Sequence, residues 1–140
     1  MRYLVLVSHG KFAEGLHDTL SMFVPDDGYI ISVGLQKGSS AYEFHANLER
    51  KLKVVDSNLD NVVLLADIQG GSPLTNAVGV LRDLNLYDKS DIYVGMNLPL
   101  ALNILLCEDG VCRTDLDEFA LEGVEIKRFM LDKHIIDEEI

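Results

Sequence analysis

Two segments hold the residue types that could do chemistry together. The first is Ser8-His9-Gly10, at the end of an apolar run. The second is Asp67 followed by Ile68-Gln69-Gly70-Gly71-Ser72-Pro73. An imidazole attacks phosphorus only through a ring nitrogen that carries a lone pair. A carboxylate accepting the other N–H selects that tautomer and steadies the cation formed on transfer. His9 is therefore the candidate phosphoryl acceptor and Asp67 its partner. Phosphoryl transfer asks the rest of a site for alignment and charge stabilisation, which backbone N–H groups and helix N-termini supply to phosphate oxygens. Gly10, Gly70, Gly71 and the Ser72 hydroxyl are the candidate lining. This chemistry requires no metal, and no cofactor is expected.

Taken singly, each feature is ordinary. A histidine at a strand end is more often a cap or a core residue, an aspartate there caps turns, and Gly-Gly-Ser-Pro is a common loop signal. Their conjunction carries the reading, and the conjunction depends on the elements that position them.

Arg2–Ser8 is a short, nearly continuous apolar run, as expected of a strand buried on both faces of a parallel sheet. Phe12, Leu16, Leu20 and Phe23 then recur at helical spacing until the Pro25-Asp26-Asp27-Gly28 stop. Tyr29–Leu35 is a second strand, followed by a helix capped by Ser39 or Ser40, with Glu43 in its first turn, running through Leu52. Asn61–Asp67 is a third strand. The glycines after it allow a tight turn, with Ser72 a suitable N-cap and Pro73 a suitable first residue for a helix to about Asp83. Asp91–Met96 is a fourth strand. Asn97-Leu98-Pro99 then turns into Leu100–Leu106, a helix apolar all round and so expected to be buried, inside the domain or against a second subunit. Leu116, Phe119 and Ala120 indicate a short helix, and Val124–Leu131 a late strand.

Strands alternating with helices predict an α/β fold: a flavodoxin-like, doubly wound open parallel sheet of order 2-1-3-4 with helices on both faces, to which the late strand would add antiparallel. The crevice of such a sheet lies at the carboxyl ends of the strands where the order reverses, here between the first and third strands. His9 and Asp67 stand at those ends. Asn97 and Pro99, at the end of the fourth strand, are candidate pocket-lining residues, although a structural turn explains them almost as well.

The chain of 140 residues, 48% hydrophobic with three prolines, reads as one domain, 1–140. Twelve basic against 23 acidic residues, a net charge of −11, argue against nucleic acid or an anionic membrane as a partner. No apolar run approaches the roughly 20 residues of a membrane span, and Met1–Val7 leads into a strand, so a cytoplasmic protein is expected. Cys107 and Cys112 lack zinc-site spacing and are expected as unpaired thiols. His17 and His45 read as surface or packing residues, and His134 lies near the acidic tail without context.

The segments VLVSHGKFAEGL (Val5–Leu16), LLADIQGGSPLTNA (Leu64–Ala77) and VGMNLPLAL (Val94–Leu102) resemble, in order and spacing, the IIA domain of the mannose-type phosphotransferase system. The D-x-x-G-G-S-P-x-x-N run is the specific part. The resemblance implies a homodimeric phosphocarrier that takes a phosphoryl group from phospho-HPr on His9, with Asp67 as its hydrogen-bonding partner and Gly71, Ser72 and Asn97 around it. The group then passes to a separate IIB protein, with the membrane subunits IIC and IID reached only indirectly. Contact with the donor is expected to be largely apolar around a recessed His9, because two charged sites must approach closely while excluding water. The phosphocarrier subunit of a dihydroxyacetone kinase shares fold and histidine, but the GGSP run and the NLP turn favour the sugar-transport branch. A receiver domain needs an acidic pair where Ser8-His9 stands, and a histidine phosphatase needs Arg before its His-Gly. A non-catalytic flavodoxin-like regulatory module remains the alternative of a different class.

Overall fold

A computed structural model describes residues 1–107 and 113–129 of the chain. Four strands, β1 (Arg2–His9), β2 (Ile30–Leu35), β3 (Asn61–Ala66) and β4 (Ser90–Val94), form one parallel sheet of order β2-β1-β3-β4. Five helices follow the strands: α1 (Phe12–Leu20), α2 (Ala41–Leu52), α3 (Ser72–Asp83), α4 (Leu98–Leu106) and α5 (Arg113–Gly123). The doubly wound order expected from the alternating pattern is the one observed.

The central strands are apolar on both faces because helices cover both. Tyr3, Val5 and Val7 of β1 and Val62, Leu64 and Ala66 of β3 pack with α2 and α3, through Phe44, Leu48, Val80 and Leu81. The alternate residues, Leu4, Leu6, Val63 and Leu65, face α1, α4 and α5 through Leu16, Leu20, Leu100, Ile104 and Leu116. Period-two alternation thus separates the two half-cores, and each fully buried leucine stabilises the fold by about 1.5–3 kcal/mol.

Several local expectations are corrected. In α1 the buried stripe is Ala13, Leu16 and Leu20; Phe12 and Phe23 lie outside it and are exposed. Of the two candidate caps of α2, Ser40 accepts the Glu43 N–H at 3.1 Å, while the Ser39 hydroxyl donates to the Glu43 carboxylate at 2.8 Å. The N-cap of α3 is Gly71, with Ser72 already helical. Likewise α4 begins at Leu98, because the Asn97 carboxamide oxygen accepts the Leu100 N–H at 2.9 Å and caps it. The apolar α4 is buried only through Leu100, Ala101 and Ile104, while Leu106 stays exposed. The short helix around Leu116 is α5, packed on α4. No strand forms over 124–129, where Val124, Ile126 and Phe129 are exposed without a ladder partner. Residues 130 and 131 of the expected strand lie outside the described residues, as does Cys112. Cys107 is a free thiol.

Candidate functional site

The site is assembled at the carboxyl ends of β1 and β3, the adjacent strands at which the order reverses. His9 is the last residue of β1, and Asp67 follows β3, with its own N–H donated to the Val7 carbonyl at 3.2 Å. That bond continues the β1–β3 ladder one residue past the strand and delivers the carboxylate to the histidine. One oxygen, Oδ2, accepts both the His9 backbone N–H and meets the His9 ring Nδ1, each at 2.9 Å. The other, Oδ1, accepts the Ile68 N–H at 2.9 Å.

Asp67 is largely buried and His9 is half exposed, with side-chain exposures of 11% and 47%. Burial by itself would raise the Asp67 carboxyl, but the hydrogen bonds from the His9 N–H, the His9 ring and the Ile68 N–H outweigh it and hold the group below the ordinary carboxylate range. An ionised Asp67 accepts Nδ1–H, which leaves the lone pair on Nε2. That nitrogen makes no hydrogen bond within the described residues.

Glycine at position 71 leaves room for the ring where it stands. A Cβ on Gly71 would stand 2.7 Å from His9 Cε1 and 3.4 Å from Nε2, so the imidazole lies directly on the N-cap of α3. There the orphan N–H groups and the helix dipole favour negative charge. Ser72 sits in the first turn, with its hydroxyl accepting the Asn76 carboxamide N–H at 3.1 Å. Gly70, at φ +81°, makes the turn that brings Gly71 into place.

The loop after His9 is held from two sides, in part by Gly34 and Gln36, to which the sequence analysis gave no role. The Ser8 hydroxyl, fully buried, accepts the Ala13 N–H at 2.8 Å and so caps the first turn of α1 from inside β1. On the other side, Gly10 at φ +57° donates its N–H to the Leu35 carbonyl at 2.7 Å, and Gln36 Nε2 donates to the Gly10 carbonyl at 3.3 Å. A Cβ on Gly34 would overlap that same carbonyl oxygen. A glycine inside an otherwise β-branched run was the available signal of such close approach.

Sequence reasoning placed eight residues at this crevice. The structure brings His9, Asp67, Gly10, Gly70, Gly71 and Ser72 to the two strand ends; Asn97 and Pro99 follow β4, where the Met96 N–H donates to the Ala66 carbonyl at 3.0 Å, and Asn97 makes no hydrogen bond to His9 or Asp67 among the described residues. Both polar atoms of Asn97 serve α4: Oδ1 caps it, and Nδ2 donates to the Gly95 carbonyl at 2.9 Å. Asn97 lines a cavity of about 390 Å³ with Val94, Leu100, Asp117 and Leu121 that contains neither His9 nor Asp67. Pro99 is an exposed residue of the first turn of α4. β4 is adjacent to β3 and two strands from β1, and Asn97 lies against Gly123 at the end of α5. His9 is also less recessed than expected, and Phe12, three residues after it, and Ile68, next to Asp67, are each more than half exposed.

Fold and site together define a doubly wound α/β protein that presents a carboxylate-oriented histidine at its switch point. The chain belongs to the family described as the PTS system fructose IIA component, whose model matches residues 3–120. It is 25% identical over 113 residues to the fructose-specific EIIA component of the phosphotransferase system of Bacillus subtilis (strain 168), covering 81% of this chain and 75% of that protein. Among solved structures it is similar to a PTS IIA protein associated with the fucose utilization operon of Streptococcus pneumoniae, at a TM-score of 0.72 and 30% identity, covering 87% of this chain and 88% of that one. The mannose/sorbose-specific IIA subunit from Enterococcus faecalis shares the fold at a TM-score of 0.64 and 22% identity, covering 94% and 98% of the two chains. The resemblance to mannose-type IIA domains therefore holds over most of the chain.

Proposed function

We propose that this IIA component is a phosphocarrier that accepts a phosphoryl group from phospho-HPr on Nε2 of His9 and passes it to a IIB protein. The observation that carries the reading is the pairing of His9 Nδ1 with Asp67 at 2.9 Å, which leaves Nε2 as the open nucleophile. In the forward step the Nε2 lone pair forms the new N–P bond as the donor's own P–N bond breaks in line, and the donor leaves as a neutral imidazole. The cationic phosphoimidazole formed on His9 keeps Nδ1–H on Asp67, whose charge steadies it. Gly71 at the start of α3 supports a role in receiving the phosphoryl oxygens, with Gly10, Gly70 and Ser72 lining the approach. Asn97 and Pro99 shape α4 and act on the site only through it.

Exposed Phe12 and Ile68 fit a partner that covers His9 with apolar surface, so that water is excluded on docking rather than by a recess in the free protein. The protein works in the cytoplasm as a homodimer, reaching the membrane subunits only through IIB. No helix among the described residues is long and apolar enough to cross a membrane.

The test is incubation with HPr, enzyme I and labelled phosphoenolpyruvate. Acid-labile label on the wild type and none on His9→Ala is the expected result. Absence of label on a folded wild type would leave a non-catalytic binding module in place of the carrier.

A further inference from the structure

A second group of polar side chains stands at the free edge of β2, between α1 and α2. His17, Ile31, Ser32, Arg50, Lys51 and Val54 line a cleft of about 370 Å³ there, a volume within the usual range of small-molecule sites. Its charge runs against that of the molecule. The chain carries 23 acidic and 12 basic residues, yet among the described residues neither Arg50 nor Lys51 has a carboxylate within ion-pair distance. Arg50 instead donates to the Asn47 carboxamide oxygen at 2.6 Å, and Lys51 to the Ser32 carbonyl at 3.0 Å. The Lys51 bond covers one open acceptor of the edge strand and leaves two ammonium protons for a ligand. On the histidine wall Asp26 is engaged with His17 Nε2 at 3.2 Å, while Nδ1 meets the Ser32 hydroxyl at 2.7 Å.

We propose that this cleft binds a small organic phosphate, with the Arg50 fork and the Lys51 ammonium on the phosphate oxygens and Ile31 and Val54 beside the carbon portion. Two adjacent cations suit a dianion with three oxygens better than a carboxylate, and the planar guanidinium matches phosphate geometry. The site is separate from His9. Ser32 lies three residues before Leu35, the register partner of His9, which is about 10 Å along the strand. The inference does not depend on phosphoryl transfer at His9, and a binding measurement tests it alone.

The experiment is an NMR titration of the full chain with glycerol 3-phosphate at constant ionic strength, following signals of His17, Arg50 and Lys51. Saturable shifts in the millimolar range are expected. Arg50 is exposed, so Arg50→Gln keeps the fold, and it should weaken binding at least about tenfold by removing a charge-assisted contact. Lys53→Gln, an exposed lysine outside the cleft, should leave the affinity unchanged. Shifts that rise without saturating, an affinity that Arg50→Gln does not alter, or saturable shifts confined to the His9 ring would each overturn the proposal.

Discussion

At the scale of the residue, the site rests on one carboxylate with two tasks. Asp67 fixes the His9 tautomer through Nδ1 and anchors the backbone on either side through the His9 and Ile68 N–H groups. Asp67→Asn keeps the volume and an acceptor but removes the charge. It should slow phosphoryl uptake by about 10- to 100-fold, the usual cost of losing a carboxylate behind a working imidazole, and single-turnover labelling would measure it. An unchanged rate would remove the orienting role. The same substitution should alter the acid limb of stability. The folded Asp67 titrates below its unfolded value of 3.8, so its contribution is complete above that pH and is lost as the pH falls through the lower folded value. The stability difference between wild type and Asp67→Asn, followed by urea unfolding, should therefore shrink below about pH 4.

At the scale of the element, the His9 loop depends on how closely β2 approaches it. Gly34→Ala would drive a methyl group into the Gly10 carbonyl and part the Gly10–Leu35 bond. A loss of about 1–3 kcal/mol in denaturant unfolding is expected, as for other overpacked positions, together with slower uptake, since the loop carrying His9 moves. Asn97 offers the opposite case. Its carboxamide caps α4 and packs on Gly123, so Asn97→Ala should cost about 1 kcal/mol of stability while leaving phosphoryl uptake near the wild-type rate. A tenfold fall in uptake by a folded Asn97→Ala would place the residue back in the crevice.

At the scale of the whole molecule, the described residues leave several large apolar side chains uncovered near and after α5. Leu106, Leu121, Val124, Ile126 and Phe129 are all exposed, Ile126 almost completely at 98%. Exposed apolar side chains in such number suit an association surface. The proposed homodimer predicts a light-scattering mass twice that of the chain, and Ile126→Asp should shift it toward the monomer with His9 still able to take up phosphate. A wild type that is monomeric at high concentration would rule out this surface as a self-association face.

Much of this was legible in the order of residues, for reasons that are local. The apolar runs 2–8, 29–35 and 61–67 and the helical spacing between them specify a parallel sheet, because only strands covered on both faces read that way. The switch-point rule then brings the ends of the first and third strands together, and His9 with Asp67 follows. Tertiary structure decided what depends on approach distance. Which ring nitrogen faces Asp67, that Gly34 is needed as a glycine and that Gly71 gives the His9 ring its room follow from contacts between segments remote in sequence, and that Ser8 caps α1 from inside β1 from how the chain turns after the strand. The part played by Asn97 likewise depends on tertiary structure. Its residue type suits a helix cap and a phosphate site equally, and only the direction of the turn after β4 separates the two. The segment after α5 has the alternation of a strand, but alternation supplies no partner, and 124–129 pair with no strand among the described residues. A pattern internal to one segment can state what that segment is suited to, whereas the pairing it finds depends on what the rest of the molecule places beside it.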